Sequence, residues 1–442
     1  MEQKSPSSSR HSSPSPEPKG LRKYKPYTFL RRQLGKVVPD GVWYNWKWDA
    51  VAGMSAGVYQ GAIWTFALQL ARGKLHATGL QMGIASAAPA IGYLFALFWA
   101  RQMEGKSKLP FVTITWLLSR GMFCLTPLLV RGAFATEWFL MLICLTPILF
   151  SVSAPAYTSI MKEIYPDEHR GRLMSYVRIG MAATMLISAR VMGVLQEHYG
   201  LDYRWMFAFG GVFGILTAYA FFRLRLAPPL PSEGEKPSLG EFFKDTFGIL
   251  RRNRQYRFFT ISVILSGFGN LLANTYYPVY QVDEFHITPT QIATLQNLGG
   301  ILSLISLFFW GWFLDRFGSL TCVLAAVLLN CCTPAMYAMA PHIGWLYLGS
   351  ALQSAAQSGV DLGYLNTTLS LSEPGRAAQY QSLHSFFFGL RGTIAPLIAF
   401  PLLGVLGGVW GRGFWLCFFV MLAGVLFQSF ALRSARTEQR GN

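Results

Sequence analysis

The sequence is poor in charge. Asp, Glu, Lys and Arg make up 13% of its 442 residues, whereas a soluble domain carries about 25%. Hydrophobic residues make up 52%. Charge is scarce where a chain crosses a bilayer, because hydrocarbon cannot solvate it. The composition therefore excludes an ordinary soluble domain and indicates a polytopic membrane protein.

The sequence also lacks the signatures of metal, disulfide and enzyme chemistry. The cysteines all lie in apolar segments, and none is spaced as a metal ligand: Cys124, Cys144, Cys322, Cys331, Cys332 and Cys417. We interpret them as small apolar side chains. There is no phosphate-binding P-loop, and no catalytic pair of carboxylates or serine with a base at membrane depth. We therefore predict neither an enzyme nor an ATP-driven pump, with no metal and no cofactor.

Long apolar runs dominate what is present. A helix needs about 20 residues to cross about 30 Å of hydrocarbon. This template predicts twelve spans, near 48–71, 79–101, 109–130, 136–158, 173–196, 204–224, 256–281, 289–314, 320–341, 345–366, 379–406 and 411–433. The runs are too long and too uniformly apolar for the strands of a barrel, so all twelve are predicted to be helices.

The basic residues predict the orientation. The formal net charge is +17, with 38 Lys and Arg. If both termini are cytosolic, five basic residues fall outside: Arg72, Lys74, Arg131, Arg204 and Arg412. Four more lie within spans and the rest face the cytosol, an asymmetry typical of multi-pass membrane proteins. The sequence thus predicts a multi-pass protein of the cell (inner) membrane, with the lipid bilayer rather than nucleic acid as its partner.

The spans divide into two groups of six. We predict a six-helix bundle at 41–224 and another at 256–433. The tail at 1–40 is rich in Ser and Pro and lacks the apolar core of a signal peptide, so we expect a disordered cytosolic segment. A shorter cytosolic tail is expected at 434–442.

A cytosolic linker is predicted between the bundles, at 225–255. Its second part places Phe242, Phe243, Phe247 and Leu250 at roughly helical spacing, with several arginines following. This pattern favours an amphipathic helix on the inner leaflet over a simple solvated linker.

The two groups of six look like copies of one another. The matching positions are Gly171, Arg172 and Tyr176 after the fourth span and Gly375, Arg376 and Tyr380 after the tenth. The spacing is the same in both, which indicates a parallel repeat.

Two loop motifs carry a family resemblance. The segment from Gly311 to Gly318 reads GWFLDRFG, similar to G-x-x-x-D-R-x-G. The segment from Pro166 to Arg172 reads PDEHRGR, similar to P-x-x-x-R-G-R. With its twelve spans, the chain resembles the major facilitator superfamily over its whole length after the tail.

The resemblance implies two pseudo-symmetric six-helix bundles around a central cavity. It also implies that Asp315 and Arg316 help to latch the cytosolic side shut. The loop between spans 2 and 3 lacks the matching Asp and keeps only Arg101, Glu104 and Gly105 as remnants. A latch on both halves is therefore unsupported, and the motifs identify neither a subfamily nor a substrate.

Arginines inside the spans are strong pointers to function, since each costs about 2.5–3.5 kcal/mol or more at the bilayer centre. The resemblance places Arg391 in helix 11 and Arg190 in helix 5 beside the cavity. Two guanidinium groups there would bind a carboxylate, phosphate or sulfate bidentately. The alternatives are that each pairs with helix carbonyls, or that Arg190 snorkels to the outer interface. Arg120 lies in the peripheral helix 3, where a structural hydrogen bond to a neighbouring helix is the stronger expectation.

Three further ionisable groups lie at similar depth: Asp361 in helix 10, His384 in helix 11 and Arg178 in helix 5. One hypothesis pairs Asp361 with Arg178 across the two halves to close the inner gate. A second makes Asp361 and His384 a protonatable pair that couples proton movement to transport. A local pair that only satisfies Asp361 is the third reading.

Uncharged polar side chains concentrate in helices 1, 7, 8 and 10. An amide exposed to lipid is costly, so most should face the interior. Those predicted to bind substrate are Gln60, Asn270, Asn274 and Gln357.

We interpret the sequence as a secondary active transporter that works by alternating access. The predicted cargo is a small organic solute, with an amphipathic or anionic one as the leading candidate. The predicted coupling ion is a proton, and a monomer is expected. One alternative is a drug or metabolite exporter in which the arginines are structural. Another is a non-transporting membrane receptor or scaffold that binds a partner through its basic tail.

Overall fold

The structure is a computed structural model. It describes residues 38, 41–95, 99, 103, 106–226, 247–373 and 376–441. The described residues fall into two units, 38 and 41–44 in the first and those from Asn45 onward in the second. The predicted tail at 1–40 and the first part of the predicted linker thus lie almost wholly outside the described residues.

The described chain is helical throughout, with no strand. The main helices are α1 (Trp43–Ile63), α2 (Gly79–Leu94), α3 (Leu109–Gly121), α4 (Ala135–Ile164), α5 (Asp167–His198), α6 (Tyr203–Phe222), α7 (Arg254–Asp283), α8 (Pro289–Phe317), α9 (Ser319–Ala338), α10 (Ile343–Ser370), α11 (Ala377–Val405) and α12 (Trp410–Gly441). Each begins or ends close to a predicted span. The all-helical membrane fold predicted from the sequence is therefore confirmed.

Two spans are continued by short helices. After a turn at 64–66, a short helix at Ala67–Gly73 continues α1. A 3₁₀ segment at Met122–Leu125 and a short helix at Thr126–Leu129 continue α3. Residues 247–252 are also helical, within the segment predicted to be an amphipathic helix.

Nine helical segments of the described chain are long and apolar enough to cross a membrane. Those outside the nine are α1, α2 and α10. The helix α2 is described over only 16 residues, and α10 carries Gln353, Gln357 and Asp361, which lower its hydropathy. The count of twelve spans stays a prediction.

A matching helix start recurs in the two halves of the chain. Thr78 begins α2 and Thr288 begins α8, each with a reciprocal capping box to the Gln three residues later. Two residues before each cap lies a histidine with positive φ, His76 at 54° and His286 at 45°. The same turn thus stands at the start of the second helix of each predicted bundle, which adds to the repeat found in the sequence.

Helices from the first half pack directly on helices from the second. We call the end of the helices where α1 begins the near end, and the opposite end the far end. Along α2, Gly83 lies so close to α11 that a Cβ would meet the carbonyl oxygen of Pro396. On α5, the carbonyl oxygen of Leu186 accepts a hydrogen bond from Asn297 Nδ2 of α8, at 3.2 Å.

Candidate substrate-binding site

A polar cavity of about 190 Å³ lies in the second half of the chain, between α7, α9, α10, α11 and α12. Its polar lining residues are Ser266, Asn270, Asn330, Gln357, Asp361, Tyr364, Gln381, His384 and Arg391. Five of these were predicted from the sequence as binding or coupling residues. The described residues that line it all come from 266–421, in the second half of the chain.

Arg391 is the buried cation of this cavity, with 6% of its surface exposed. Its Nη1 donates a hydrogen bond to the carbonyl oxygen of Val263, while its buried Nε has no hydrogen-bond partner. The guanidinium crosses α7 at Gly267, where any side chain would overlap it, and it lies 5.2 Å from the ring centre of Phe388. No carboxylate among the described residues forms a salt bridge with it. Arg391 therefore keeps unused capacity to bind an anion.

His384 lies beside Arg391, between two aromatic rings. Its ring centre is 5.4 Å from that of Tyr364 and 6.3 Å from that of Phe259. The hydroxyl of Tyr364 lies 3.1 Å from Ser266 Oγ, so that α10 and α7 are joined beside the cavity. Tyr364 and Ser266 were not predicted as site residues.

Asp361 presents its carboxylate to the same cavity from α10. Gln357, one turn earlier, donates from Nε2 to Asp361 Oδ1 at 2.7 Å. This is the local pair, predicted from the sequence as the third possibility, in which a neighbour only satisfies Asp361. Among the described residues, neither Arg178 nor His384 forms a hydrogen bond or salt bridge with Asp361. Proton coupling through Asp361 and His384 stays a prediction, although both side chains line one cavity.

Three buried polar atoms of the cavity wall have no hydrogen-bond partner: Asn330 Oδ1, Gln381 Oε1 and Arg391 Nε. An unsatisfied buried polar atom costs about 1–3 kcal/mol. The two acceptors and the donor would be satisfied by a bound polar molecule or by water. The cavity therefore presents unsatisfied hydrogen-bonding groups to its interior.

A charged contact joins the two halves at the far end. Arg72, in the short helix after α1, donates from Nε and Nη2 to the two carboxylate oxygens of Asp283 at 2.8 and 2.7 Å. One turn away, Gln69 Nε2 donates to Gln281 Oε1 at 3.2 Å. The bidentate geometry joins α7 to the end of the first span.

A second far-end contact joins α5 to α8. The backbone nitrogen of Thr290, in the first turn of α8, donates to Glu197 Oε2 of α5 at 2.8 Å. A carboxylate at a helix N-terminus is favoured by the exposed N–H groups and the helix dipole. Arg190 Nη1 adds a long contact of 3.4 Å to Thr294 Oγ1. Charged side chains thus cross between the halves at two places on the far end.

Comparison with known proteins gives the family. A family model for the Major Facilitator Superfamily matches residues 50–395 and 259–442. The chain belongs to the major facilitator superfamily. It is therefore a multi-pass integral membrane protein, and membership supports a secondary transporter of a small molecule rather than an enzyme. A comparison with curated proteins finds no match.

Solved structures of transporters share this fold. The nucleoside transporter NupG superposes with a TM-score of 0.69 at 12% identity, over 88% of this chain and 98% of that chain. A POT family transporter in complex with a thioalcohol-conjugated peptide gives 0.67 at 11% identity, over 89% and 96%. A bacterial homolog of the human lysosomal transporter Spinster, inward-facing and unoccupied, gives 0.56 at 14% identity, over 89% and 96%. At these identities the likeness is one of fold.

Several residues predicted to bind substrate in this superfamily member lie outside the cavity. Asn274 of α7 accepts a hydrogen bond from Gln353 of α10 at 2.5 Å, which ties the two helices together. Gln60 is half-buried near the end of α1. Its backbone carbonyl oxygen accepts a hydrogen bond from Trp64 N at 2.9 Å. Arg190 is exposed and lies in the α5–α8 contact. Their predicted role in binding stays a prediction.

The predicted gating residues are spread over the near half. Arg178 of α5 lies close enough to Asp49 of α1 to interact with it electrostatically, and Asp49 Oδ2 accepts a hydrogen bond from the Tyr165 hydroxyl at 2.6 Å. Asp315 and Arg316 are exposed at the near end of α8. Neither forms a salt bridge with any other residue that the structure describes.

Arg120 lies in a box of aromatic rings on the first half. Its guanidinium carbon is 4.1 Å from the ring centre of Trp116, 5.4 Å from that of Tyr59 and 5.8 Å from that of Phe150. Nη1 has no hydrogen-bond partner. Among the described residues no hydrogen bond joins Arg120 to a neighbouring helix, and cation–π contacts surround the charge.

Two cavity residues, Asn330 and Gln381, were not predicted from the sequence. Of the residues not predicted, they carried the clearest signal in the sequence. Asn330 is the one amide in the predicted ninth span, and a lone amide in an apolar helix points inward. Gln381 lies next to the predicted start of its span and so looked interfacial.

In the described part of the chain, no group of three His, Cys, Asp or Glu side chains is placed to hold a metal ion.

Proposed function

We propose that this protein moves a small organic solute with an anionic group across the membrane by alternating access, coupled to protons. The observation that carries this proposal is Arg391: a buried guanidinium in a polar cavity, with a free Nε and no carboxylate partner among the described residues. Charge-assisted bidentate hydrogen bonds to a carboxylate or phosphate would satisfy it. The amides of Asn270, Asn330 and Gln381 would bind the polar remainder of the solute.

The distribution of contacts supports a state that is open at the near end. The far end is joined by the Arg72–Asp283 pair and by Glu197 at the start of α8. At the near end, Asp315 and Arg316 lie exposed. The positive-inside asymmetry favours a cytosolic near end, and with that orientation the state is inward-facing. Transport then requires the far-end contacts to break while the near end closes on the cavity.

A ligand panel tests the nature of the solute. We expect small carboxylates, phosphate esters or sulfates to raise the melting temperature of the purified protein, because a ligand stabilises by RT ln(1 + [L]/Kd). Neutral nucleosides and organic amines of similar size serve as controls. If only neutral or cationic compounds stabilise the protein, the proposed anionic solute is wrong.

Proton coupling is tested by Asp361→Asn. We expect this substitution to abolish uptake driven by a proton gradient, since an amide cannot bind and release a proton. Exchange of labelled for unlabelled solute without a gradient should continue. Asp202→Asn is the matched control, because that carboxylate lies outside the cavity. It caps the far-end start of α6, where its Oδ1 accepts a hydrogen bond from Arg204 N at 2.9 Å. Unchanged pH dependence of uptake in Asp361→Asn would refute the coupling role.

One observation supports the alternative of an exporter with structural arginines. Arg391 Nη1 donates a hydrogen bond to the carbonyl oxygen of Val263, which joins α11 to α7 within the protein. If that bond is the whole role of Arg391, the transported compounds need carry no negative charge. The ligand panel and the substitution of Arg391 separate the two functions.

A further inference from the structure

A pocket of about 480 Å³ lies at the far end and shares no lining residue with the polar cavity around Arg391. One side of it comes from the short helix after α1 and the end of α5, and the other from the end of α7 and the start of α8. Both halves of the chain therefore build this far-end pocket. Its volume lies in the range of about 300–1,000 Å³ that is usual for small-molecule sites.

The inner surface of the far-end pocket is apolar. Leu70, Ile287 and Ile292 line it, and all three are buried. Val282 and Pro289 extend the same surface along the second half of the chain. An apolar group that enters the pocket is removed from water, which favours its binding.

A cation and a carboxylate line the same pocket without pairing with each other. Lys74 and Glu197 are both exposed, and within the described chain neither forms a salt bridge. Glu197 Oε2 accepts a hydrogen bond from Thr290 N at 2.8 Å. Since a carboxylate has about four acceptor positions, this bond leaves capacity for a ligand. The neighbouring Arg72 and Asp283, by contrast, satisfy each other.

A buried acceptor lies next to this carboxylate in the chain. Gln196 also lines the pocket, and its buried Oε1 has no hydrogen-bond partner. A buried acceptor without a partner is costly, so a donor in the pocket would be favoured. An ammonium group carries three N–H donors and suits a site with more than one acceptor. The pocket thus combines acceptors for an ammonium group, a cation for an acidic group and an apolar surface.

We propose that the far-end pocket binds a small zwitterion with an apolar body, such as an α-amino acid with a branched apolar side chain. Its carboxylate contacts Lys74, its ammonium group contacts Glu197 and Gln196, and its side chain lies on the apolar inner surface. A simple anion or a simple cation would leave one of the two protein charges unmatched. Because the walls belong to both halves, an occupant binds the far-end-closed state and favours it. This site is independent of the anionic solute proposed for the cavity.

The test uses the full-length protein in a neutral detergent, with leucine as the probe. Leucine should raise the melting temperature. Leucinol lacks the carboxylate and 4-methylpentanoate lacks the amine, so each should raise it far less. Since 4-methylpentanoate can also bind at Arg391, the three compounds are compared in Arg391→Ala as well as in the parent protein. A leucine shift that disappears in Arg391→Ala would place leucine in the cavity and overturn the proposal, whereas failure of the anion panel alone would leave it intact.

Two substitutions test the charges of the pocket in the parent protein. Lys74→Ala and Glu197→Gln should each raise the apparent Kd for leucine about fivefold. The Gln side chain can still accept the hydrogen bond from Thr290 N, so the start of α8 stays capped. Arg131→Ala and Glu137→Gln are the matched controls, because both are exposed far-end charges outside the pocket, and they should leave the Kd unchanged. No shift with leucine, equal shifts with all three compounds in Arg391→Ala, or an equal rise of the Kd in the controls would each overturn the proposal.

Discussion

Replacing Arg391 with alanine is expected to abolish the thermal shift produced by the anionic solute. The guanidinium is the buried cation of the cavity, and hydrogen bonds to charged groups contribute about 1.5–3 kcal/mol. Affinity should therefore fall about 10- to 100-fold, and uptake at low solute concentration should fall with it. Arg391→Lys keeps the charge but loses the bidentate geometry, so it should give an intermediate affinity.

The unliganded melting temperature separates binding from support of the fold. Arg391→Ala also removes the hydrogen bond to Val263, so some loss of stability is expected in either case. Arg120→Ala is the matched control: it removes another buried arginine, which lies among Trp116, Tyr59 and Phe150 rather than in the cavity. That variant should lower the unliganded melting temperature and keep the solute-induced shift. If Arg391→Ala behaves in the same way, Arg391 is structural and the exporter reading is favoured.

The sequence predicts the fold well because hydropathy is a local property. Each predicted span overlaps a helix of the described chain, since a backbone in lipid must satisfy its own hydrogen bonds. The exact ends are less predictable. The helix α4 runs to Ile164 and α5 begins at Asp167, both beyond the predicted spans, because a helix does not stop where the hydrocarbon stops. The break at 64–66 has no proline or comparable signal in the sequence. The 3₁₀ segment at 122–125 directly precedes Pro127, which cannot donate the helical hydrogen bond to residue 123.

The candidate site is predicted only in part, because the sequence does not show which face each helix turns inward. The scarcity of charge in the spans is enough to single out Arg391, Asp361 and His384, and all three line one cavity. Scarcity of charge also selected Arg190, and the cost of an amide in lipid selected Asn274, but both side chains contact neighbouring helices instead. A polar group in a span must be buried, because its exposure to lipid is costly. Tertiary packing then decides which partner it contacts.

Breaking the Arg72–Asp283 pair is expected to open the far end. This pair joins the two halves with hydrogen bonds of 2.8 and 2.7 Å, and both side chains are about a third exposed (30% and 27%). A pair at that exposure contributes up to about 1 kcal/mol, so either Arg72→Ala or Asp283→Ala should shift the equilibrium toward the far-end-open state by up to about fivefold. A cysteine at Gln196, which lines the far-end pocket of about 480 Å³, reports this shift through its rate of reaction with an impermeant maleimide.

The exchange variant Arg72→Asp/Asp283→Arg decides whether the pair acts as a latch. If the two charges hold the far end through their mutual attraction, the exchange should return the labelling rate toward that of the parent protein. Arg204→Ala is the matched control, because Arg204 pairs with Asp202 at 3.9 Å within one half of the protein. That change removes a far-end charge without removing a contact between halves, so labelling should not change. A labelling rate that rises equally in Arg204→Ala, or that the exchange fails to lower, would mean that the far end is closed by the packing of α2 on α11 and α5 on α8 rather than by this ion pair.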